Sequence, residues 1–137
     1  QDDKTLRAAE AVGELLVSRL KAGQKIMVVG NGGSACDAAH FAEELTGRYQ
    51  RNRRALAAMA CTDAGHITCT ANDFGFEHVF SRWVEGLGRA GDVLVLLSTS
   101  GNSANILRAR ESGAAIGMTT VGLLGRDAPL DELNREL

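Results

Sequence analysis

Short, fully apolar runs alternate along this chain with segments of helical periodicity. Lys25–Val29 and Val93–Leu97 carry almost no polar residue, the pattern of strands covered on both faces of a parallel sheet. Ala55–Ala60 is a weaker strand candidate, poor in β-branched residues, and Thr119–Leu124 is a fourth. Between them lie amphipathic stretches. From about Asp3 to Leu20 the apolar positions are Leu6, Val12, Leu15, Leu16, Val17 and Leu20, the later ones at helical spacing, and Gly23 ends that helix. Ser34 to about Gly47 reads as a second helix with Ser34 as its N-cap. Phe76–Leu87 puts Val79, Phe80, Trp83, Val84 and Leu87 on one face, with Trp83 in the core. Ser103 to about Glu111 is also helical. Strands alternating with helices predict an α/β fold: a three-layer sandwich with a central parallel sheet and helices on both faces. At 137 residues it forms one domain with a substantial core.

Two connections carry candidate chemistry. Gly30-Asn31-Gly32-Gly33-Ser34 links the first strand to the second helix. A glycine turn at a helix N-terminus suits an anion or a ligand approaching the backbone closely. Neither nucleotide fingerprint fits. Ala35 stands where the third glycine of G-x-G-x-x-G belongs, and no Gly-Lys-Ser/Thr triplet exists. The second connection, Ser98-Thr99-Ser100-Gly101-Asn102-Ser103, follows the Val93–Leu97 strand. An N-cap needs one hydroxyl; four hydroxyls in six residues suit a phosphate monoester held by neutral donors and the helix dipole. Both connections are expected at the carboxyl edge of the sheet, facing one pocket.

The second helix also carries His40 and Glu44, four residues apart and on one face. That spacing suits shared coordination of a divalent metal such as zinc, or a carboxylate base beside an orienting imidazole. It is also common in solvated surface pairs; here its place one helix after the glycine loop favours chemistry. Glu43 points about 100° away and is expected to face solvent. Asp37 is read as a charge at the helix N-terminus. Asn72-Asp73-Phe74-Gly75-Phe76 reads as a polar-aromatic loop. Asp73 there either caps the next helix or binds a sugar hydroxyl or an arginine such as Arg48. His66 and His78 carry no spacing signal and are read as structural or exposed.

Composition narrows the class. Hydrophobic residues make up 45% and charged residues 23%, an ordinary globular balance. A net charge of −2 argues against a dedicated nucleic-acid binder. The basic stretch Arg48–Arg54 reads as a solvated helix end and loop. Cys36, Cys61 and Cys69 form no CxxC pair and leave an odd count, which fits a reducing compartment rather than a disulfide framework. Cys36 is expected to be a small buried residue rather than a reactive thiol. No apolar run reaches the ~18 residues of a membrane span, and no signal peptide is visible.

The strings GNGGSACDAAHFAEELTGRY, ANDFGFEHVFSR and STSGNSAN resemble those of phosphoheptose isomerases, enzymes of the sugar-isomerase (SIS) domain class. The resemblance runs from about Lys21 to Ser103, with a looser echo through Gly125, and Arg108–Met118 looks irregular beside the longer helix of the family there. It implies a flavodoxin-like SIS fold and a cytoplasmic homotetramer with active sites at subunit interfaces. It implies aldose–ketose isomerisation of sedoheptulose 7-phosphate to D-glycero-D-manno-heptose 7-phosphate, the first step of nucleotide-activated heptose biosynthesis. By this resemblance Ser98, Thr99, Ser100 and Ser103 bind the phosphate. Asn31, Gly32, Gly33, Asn72 and Asp73 contact substrate. His40 and Glu44 bind one zinc per subunit, and Glu44 is also the catalytic carboxylate and a substrate contact. The family takes its remaining metal ligands and second acid/base from a C-terminal helix; no such motif follows Gly125. Residues 1–137 are therefore expected to be a single SIS domain lacking its C-terminal strand and helix. The alternative is a non-catalytic SIS module that binds a phosphosugar or a protein partner. A nucleotide-binding domain is disfavoured by the two failed fingerprints.

Overall fold

The computed structural model describes residues 3–124. Its elements in chain order are α1 (Asp3–Lys21), β1 (Ile26–Gly30), α2 (Gly33–Thr46), β2 (Ala58–Ala60) and α3 (Ala64–Phe74). A 3-10 turn (Phe76–His78), α4 (Val79–Leu87), β3 (Val93–Ser98), α5 (Ala104–Ile116) and β4 (Thr119–Leu124) follow. The four strands form one parallel sheet in the order β2-β1-β3-β4. This is the order of the first four strands of a flavodoxin-like sheet.

The pleat divides the apolar runs between two cores. Met27, Val29, Leu94 and Leu96 face one side with Phe80, Trp83, Val84, Ile106 and Ala109. Ile26, Val28, Val93 and Val95 face the other, packed with Leu20, Ala38 and, from α1 and α2, Val12, Leu15, Leu16, Phe41 and Leu45. Thus α1 and α2 cover one face and α3, α4 and α5 the other, which places helices on both faces as the sequence pattern predicts. Along α1, Leu6 and Val17 fall off the buried stripe and are about half exposed, at 53% and 52%.

Some local expectations need correction. A helix occupies Ala64–Phe74, where the pattern shows none. Asp63 caps it, accepting a hydrogen bond from the His66 backbone N–H at 2.8 Å. Its residues include β-branched Ile67, Thr68 and Thr70, poor helix formers, yet Ile67 and Ala71 pack on the core and Thr70 is buried. Asn72 and Asp73 therefore lie in its last turn rather than in a loop, and Asp73 caps nothing that follows. Helix α2 begins at Gly33 with Gly32 at its N-cap, so Ser34 is already helical and is not the cap. Strand β2 is shorter than Ala55–Ala60, because the Leu56 N–H donates to the Leu45 carbonyl at the end of α2 instead of to the sheet. Helix α5 is regular through Ile116, past its expected end near Glu111 and across most of the Arg108–Met118 segment read as irregular. Leu87, at the end of the apolar face of α4, is 42% exposed. The expectations for the segment after Gly125 lie outside the described residues.

The amino edge of the sheet is fastened by charge. Lys25 Nζ donates to Asp92 Oδ2 at 2.5 Å. The backbone N–H groups of Lys25 and Arg89 also donate to this carboxylate, at 3.1 and 2.9 Å. Arg19 of α1 donates to the Gly91 carbonyl at 2.9 Å and to the Thr119 hydroxyl at 3.2 Å. Burial alone would raise the Asp92 pKa, but the Lys25 and Arg89 hydrogen bonds and the Lys25 charge outweigh it and hold the carboxyl below 3.8. A lowered folded-state pKa stabilises above the unfolded value and is lost as pH falls through the folded one. Asp92→Asn is expected to cost about 2 kcal/mol at pH 7. In urea unfolding, the wild type should approach the variant's stability as the pH drops below about 3.8. A difference unchanged at pH 3 would contradict this account.

Candidate functional site

Strands β1 and β3 are neighbours, with Gly30 in register with Leu97, so the connections that follow them emerge side by side at the carboxyl edge. There α2 leaves toward one face of the sheet and α5 toward the other. This is the switch point at which open α/β sheets bind ligands. Both connections lie where the sequence places them.

The first connection turns on its glycines. A Cβ on Gly30 would come within 2.8 Å of the Ser34 backbone, so only glycine lets the helix start this close to the strand. Gly32 has φ of +55°, in the left-handed region that favours glycine. Gly33 has no such need, since a Cβ there would meet nothing within 4 Å. Neither backbone strain nor packing in this chain requires glycine at 33; close approach of a ligand would.

The second connection is a hydroxyl cradle. The Gly101 N–H donates to Ser98 Oγ at 2.9 Å, and the Asn102 N–H donates to Ser100 Oγ at 3.2 Å. Both hydroxyl hydrogens remain to be given elsewhere. Thr99 and Ser100 are exposed. Ser103 holds the N-cap position of α5, but its side chain makes no capping hydrogen bond. A plain capping turn therefore does not account for these hydroxyls.

One contact across the switch point was not anticipated. Asn31 and Asn105 exchange reciprocal side-chain amide hydrogen bonds, both 2.9 Å. Asn105, in the first turn of α5, is 3% exposed. The only signal in the sequence was an asparagine in a helical first turn beside the Ser/Thr loop.

On α2, His40 Nε2 and Glu44 Oε1 lie 3.0 Å apart. His40 is exposed and Glu44 partly buried. Glu43 is exposed as expected, but it is not remote. Ligand atoms of His40, Glu43 and Glu44 all lie within 4.8 Å of one another. The i, i+3 spacing of His40 and Glu43 is the signal that would have included it. The end of α2 is anchored by Arg53, whose guanidinium donates to the carbonyls of Glu44 at 2.7 Å and Leu45 at 3.1 Å. The basic stretch is otherwise the solvated loop expected, with Arg48, Arg51 and Arg54 exposed.

The candidate residues do not all converge within one chain. Helix α2 carries His40 and Glu44 down one face of the sheet, and at 1.5 Å per residue Glu44 lies about 16 Å along the helix from Gly33. Asn72 and Asp73 end α3 on the opposite face. Asp73 accepts hydrogen bonds from Asn72 Nδ2 at 3.0 Å and Cys69 Sγ at 3.6 Å. The structure thus joins the two carboxyl-edge connections and leaves the α2 and α3 groups apart from each other.

The remaining histidines and Cys61 sit in structural surroundings. A His66 ring nitrogen pairs with the Val79 carbonyl at 2.8 Å, and His78 lies beside Glu77 at 3.5 Å. Burial, reinforced by the nearby Asp63 charge, pushes the Cys61 thiol up to about 12. Cys36 is exposed, not the buried residue expected, because its position in the first turn of α2 points away from the sheet. Among the described residues no helix is long and apolar enough to cross a membrane.

The SIS domain family matches residues 3–125. Among curated proteins, phosphoheptose isomerase from Klebsiella pneumoniae is 53% identical over 127 residues, 93% of this chain and 66% of its own length. The phosphoheptose isomerase from Yersinia enterocolitica is 52% identical over the same share of each chain. The chain thus spans 66% of the length of these relatives. Among solved structures, phosphoheptose isomerase from Neisseria gonorrhoeae aligns with a TM-score of 0.82 and 42% identity, covering 98% of this chain and 75% of that one. A phosphoheptose isomerase from Francisella tularensis aligns with a TM-score of 0.87 and 35% identity, over 93% of this chain and 68% of that one. With the flavodoxin-like strand order and the hydroxyl cradle at its switch point, this chain belongs to the SIS domain family, among relatives named phosphoheptose isomerases.

Proposed function

We propose that this chain acts as a phosphoheptose isomerase, converting sedoheptulose 7-phosphate to D-glycero-D-manno-heptose 7-phosphate. The observation that carries the reading is the identity of 53% to a phosphoheptose isomerase over 93% of the chain. The hydroxyl cradle beside the open glycine turn supports it. Ser98, Thr99, Ser100 and Ser103 with the α5 N-terminus hold the phosphate. Asn31, Gly32 and Gly33 line the sugar, joined by Asn72 and Asp73. Phosphate binding fixes the far end of the open-chain sugar and so positions C1 and C2.

Glu44 acts as the base. It takes a proton from C1 of the 2-ketose, giving a cis-enediol, and returns it to C2, leaving an aldehyde at C1. The accompanying proton shift between the two oxygens needs a second acid/base group, for which the resemblance points to a C-terminal helix. The His40 imidazole, 3.0 Å from Glu44, orients that carboxylate. His40 and Glu44, with Glu43 beside them, offer the nitrogen and oxygen donors that zinc accepts, and these residues would hold it. Bound there, zinc supplies a Lewis acid for the substrate carbonyl.

The enzyme works as a cytoplasmic homotetramer with active sites between subunits. The placement of His40 and Glu44 on one face and Asn72 and Asp73 on the other supports this, because a neighbouring subunit can supply what one chain leaves apart.

In the full-length protein, Glu44→Gln is expected to lower turnover of sedoheptulose 7-phosphate about 10³-fold in a coupled assay while substrate still binds. Near-normal turnover would remove Glu44 from the mechanism. Absence of turnover in the wild type would favour a non-catalytic phosphosugar-binding module. Gly33→Ala separates fold from site. Its thermal midpoint should stay the same or rise slightly, since alanine suits a helix start and reduces unfolded-state entropy. Its affinity for the sugar phosphate should fall about 10-fold or more, because the Cβ enters the space left for ligand. Unchanged affinity by calorimetry would show that the sugar does not approach Gly33.

A further inference from the structure

Reading the two carboxyl-edge connections as sugar and phosphate loops, as above, we propose that Asn105 is a positioning residue that sets the sugar loop relative to the phosphate loop through Asn31. Asn105 belongs to α5, the helix whose N-terminus forms the phosphate cradle, and stands two residues after Ser103. Its side chain turns into the protein and is buried, beside the fully buried Ile106. Burying an amide is costly unless it is hydrogen-bonded. Here the bonding comes from Asn31, 74 residues earlier, through two bonds of 2.9 Å in opposite directions.

The two-bond form matters. A single hydrogen bond lets one side chain pivot about the other; a reciprocal amide pair fixes both distance and orientation. Asn31 is also held at its other end, since its carbonyl accepts the Ser34 N–H at 2.9 Å. It is thereby clamped between α5 and the first turn of α2, and Gly32 and Gly33 follow directly from it. The open-chain sugar phosphate rotates freely in solution, so the separation of the two loops selects the extended length at which its phosphorus and its reacting carbons are held. A shift of about 1 Å between the two loops would misplace those carbons and can cost on the order of 10²-fold in rate. Asn31 remains partly exposed, so water can replace the lost bonds on that side when the pair is broken.

The test is a double-mutant cycle in the full-length protein. Asn105→Ala should lower kcat for sedoheptulose 7-phosphate about 10- to 100-fold. Inhibition by inorganic phosphate, which reports the cradle alone, should change less than about twofold. Because Asn105 acts through Asn31, the double variant Asn31→Ala/Asn105→Ala should turn over no more slowly than Asn31→Ala. Fully additive losses, or a loss of phosphate affinity that matches the loss of kcat, would overturn the proposal. If the wild type shows no isomerase turnover, the proposed function fails, and the coupling is read separately by amide hydrogen exchange. In Asn105→Ala the Ser34 and Ala35 amides, which close the first turn of α2, should exchange about 10-fold faster while the central strands keep their protection. Asn31→Ala, which breaks the same pair from its partly exposed side without opening a buried space, gives the same reading should Asn105→Ala fail to fold. Unchanged exchange at Ser34 and Ala35, or faster exchange throughout the sheet, would sink the positioning role.

Discussion

The parallel pairing of β1 with β3 is the constraint on which the rest of this structure depends. These two strands are wholly or almost wholly apolar, and most of their side chains are shut away from water. Such strands are stable only at the centre of a sheet with helices on both faces. Once they pair in register, the Gly30 connection and the Ser98 connection must emerge together. The helices that follow them leave for opposite faces, and a crevice opens between.

The two edges of the sheet are built for different tasks. At the amino edge the polar groups satisfy one another. Asp92 receives Lys25 and Arg89, and Arg19 ties α1 to the turn before β3 and to the start of β4. At the carboxyl edge the polar groups are held in place but not used up. Ser98 and Ser100 accept backbone N–H groups yet keep their hydroxyl hydrogens, and the Ser103 hydroxyl does no capping. The Asn31–Asn105 pair is the one side-chain clasp between these two connections among the described residues, and it leaves the glycines open. A stable base beneath an incompletely satisfied rim is what a preorganised anion site requires.

The α2 and α3 groups follow a different logic. His40, Glu43 and Glu44 are collected by helical spacing alone, and the anchoring of the α2 end by Arg53 keeps that face in place. Asn72 and Asp73 are set by the capped helix α3 on the other side of the sheet. One copy of this fold holds the hydroxyl-rich connection before α5 and the His40, Glu43 and Glu44 cluster as separate pieces.

Much of this was legible in the sequence. The strands β1, β3 and β4, the two-faced α/β class and both carboxyl-edge loops follow from apolar runs and turn residues, since those patterns directly report burial on both faces and backbone freedom. The His40–Glu44 pair follows from spacing, because a helix fixes which residues share a face. The rest depended on partners distant in sequence. Ala64–Phe74 is helical because Ile67, Thr70 and Ala71 find a core to pack on, which overrides weak local propensity. Strand β2 is short because the end of α2 takes its first backbone donor. Cys36 is exposed because the sheet lies on the other side of its helix. The Asn31–Asn105 pair joins residues 74 positions apart, and no local pattern announces it. The sequence by itself determined which segments are buried strands and which turns could receive a ligand, because those properties are local. Only the tertiary structure decided which polar groups meet and which remain apart, because that depends on strand order and on the face to which each helix is sent.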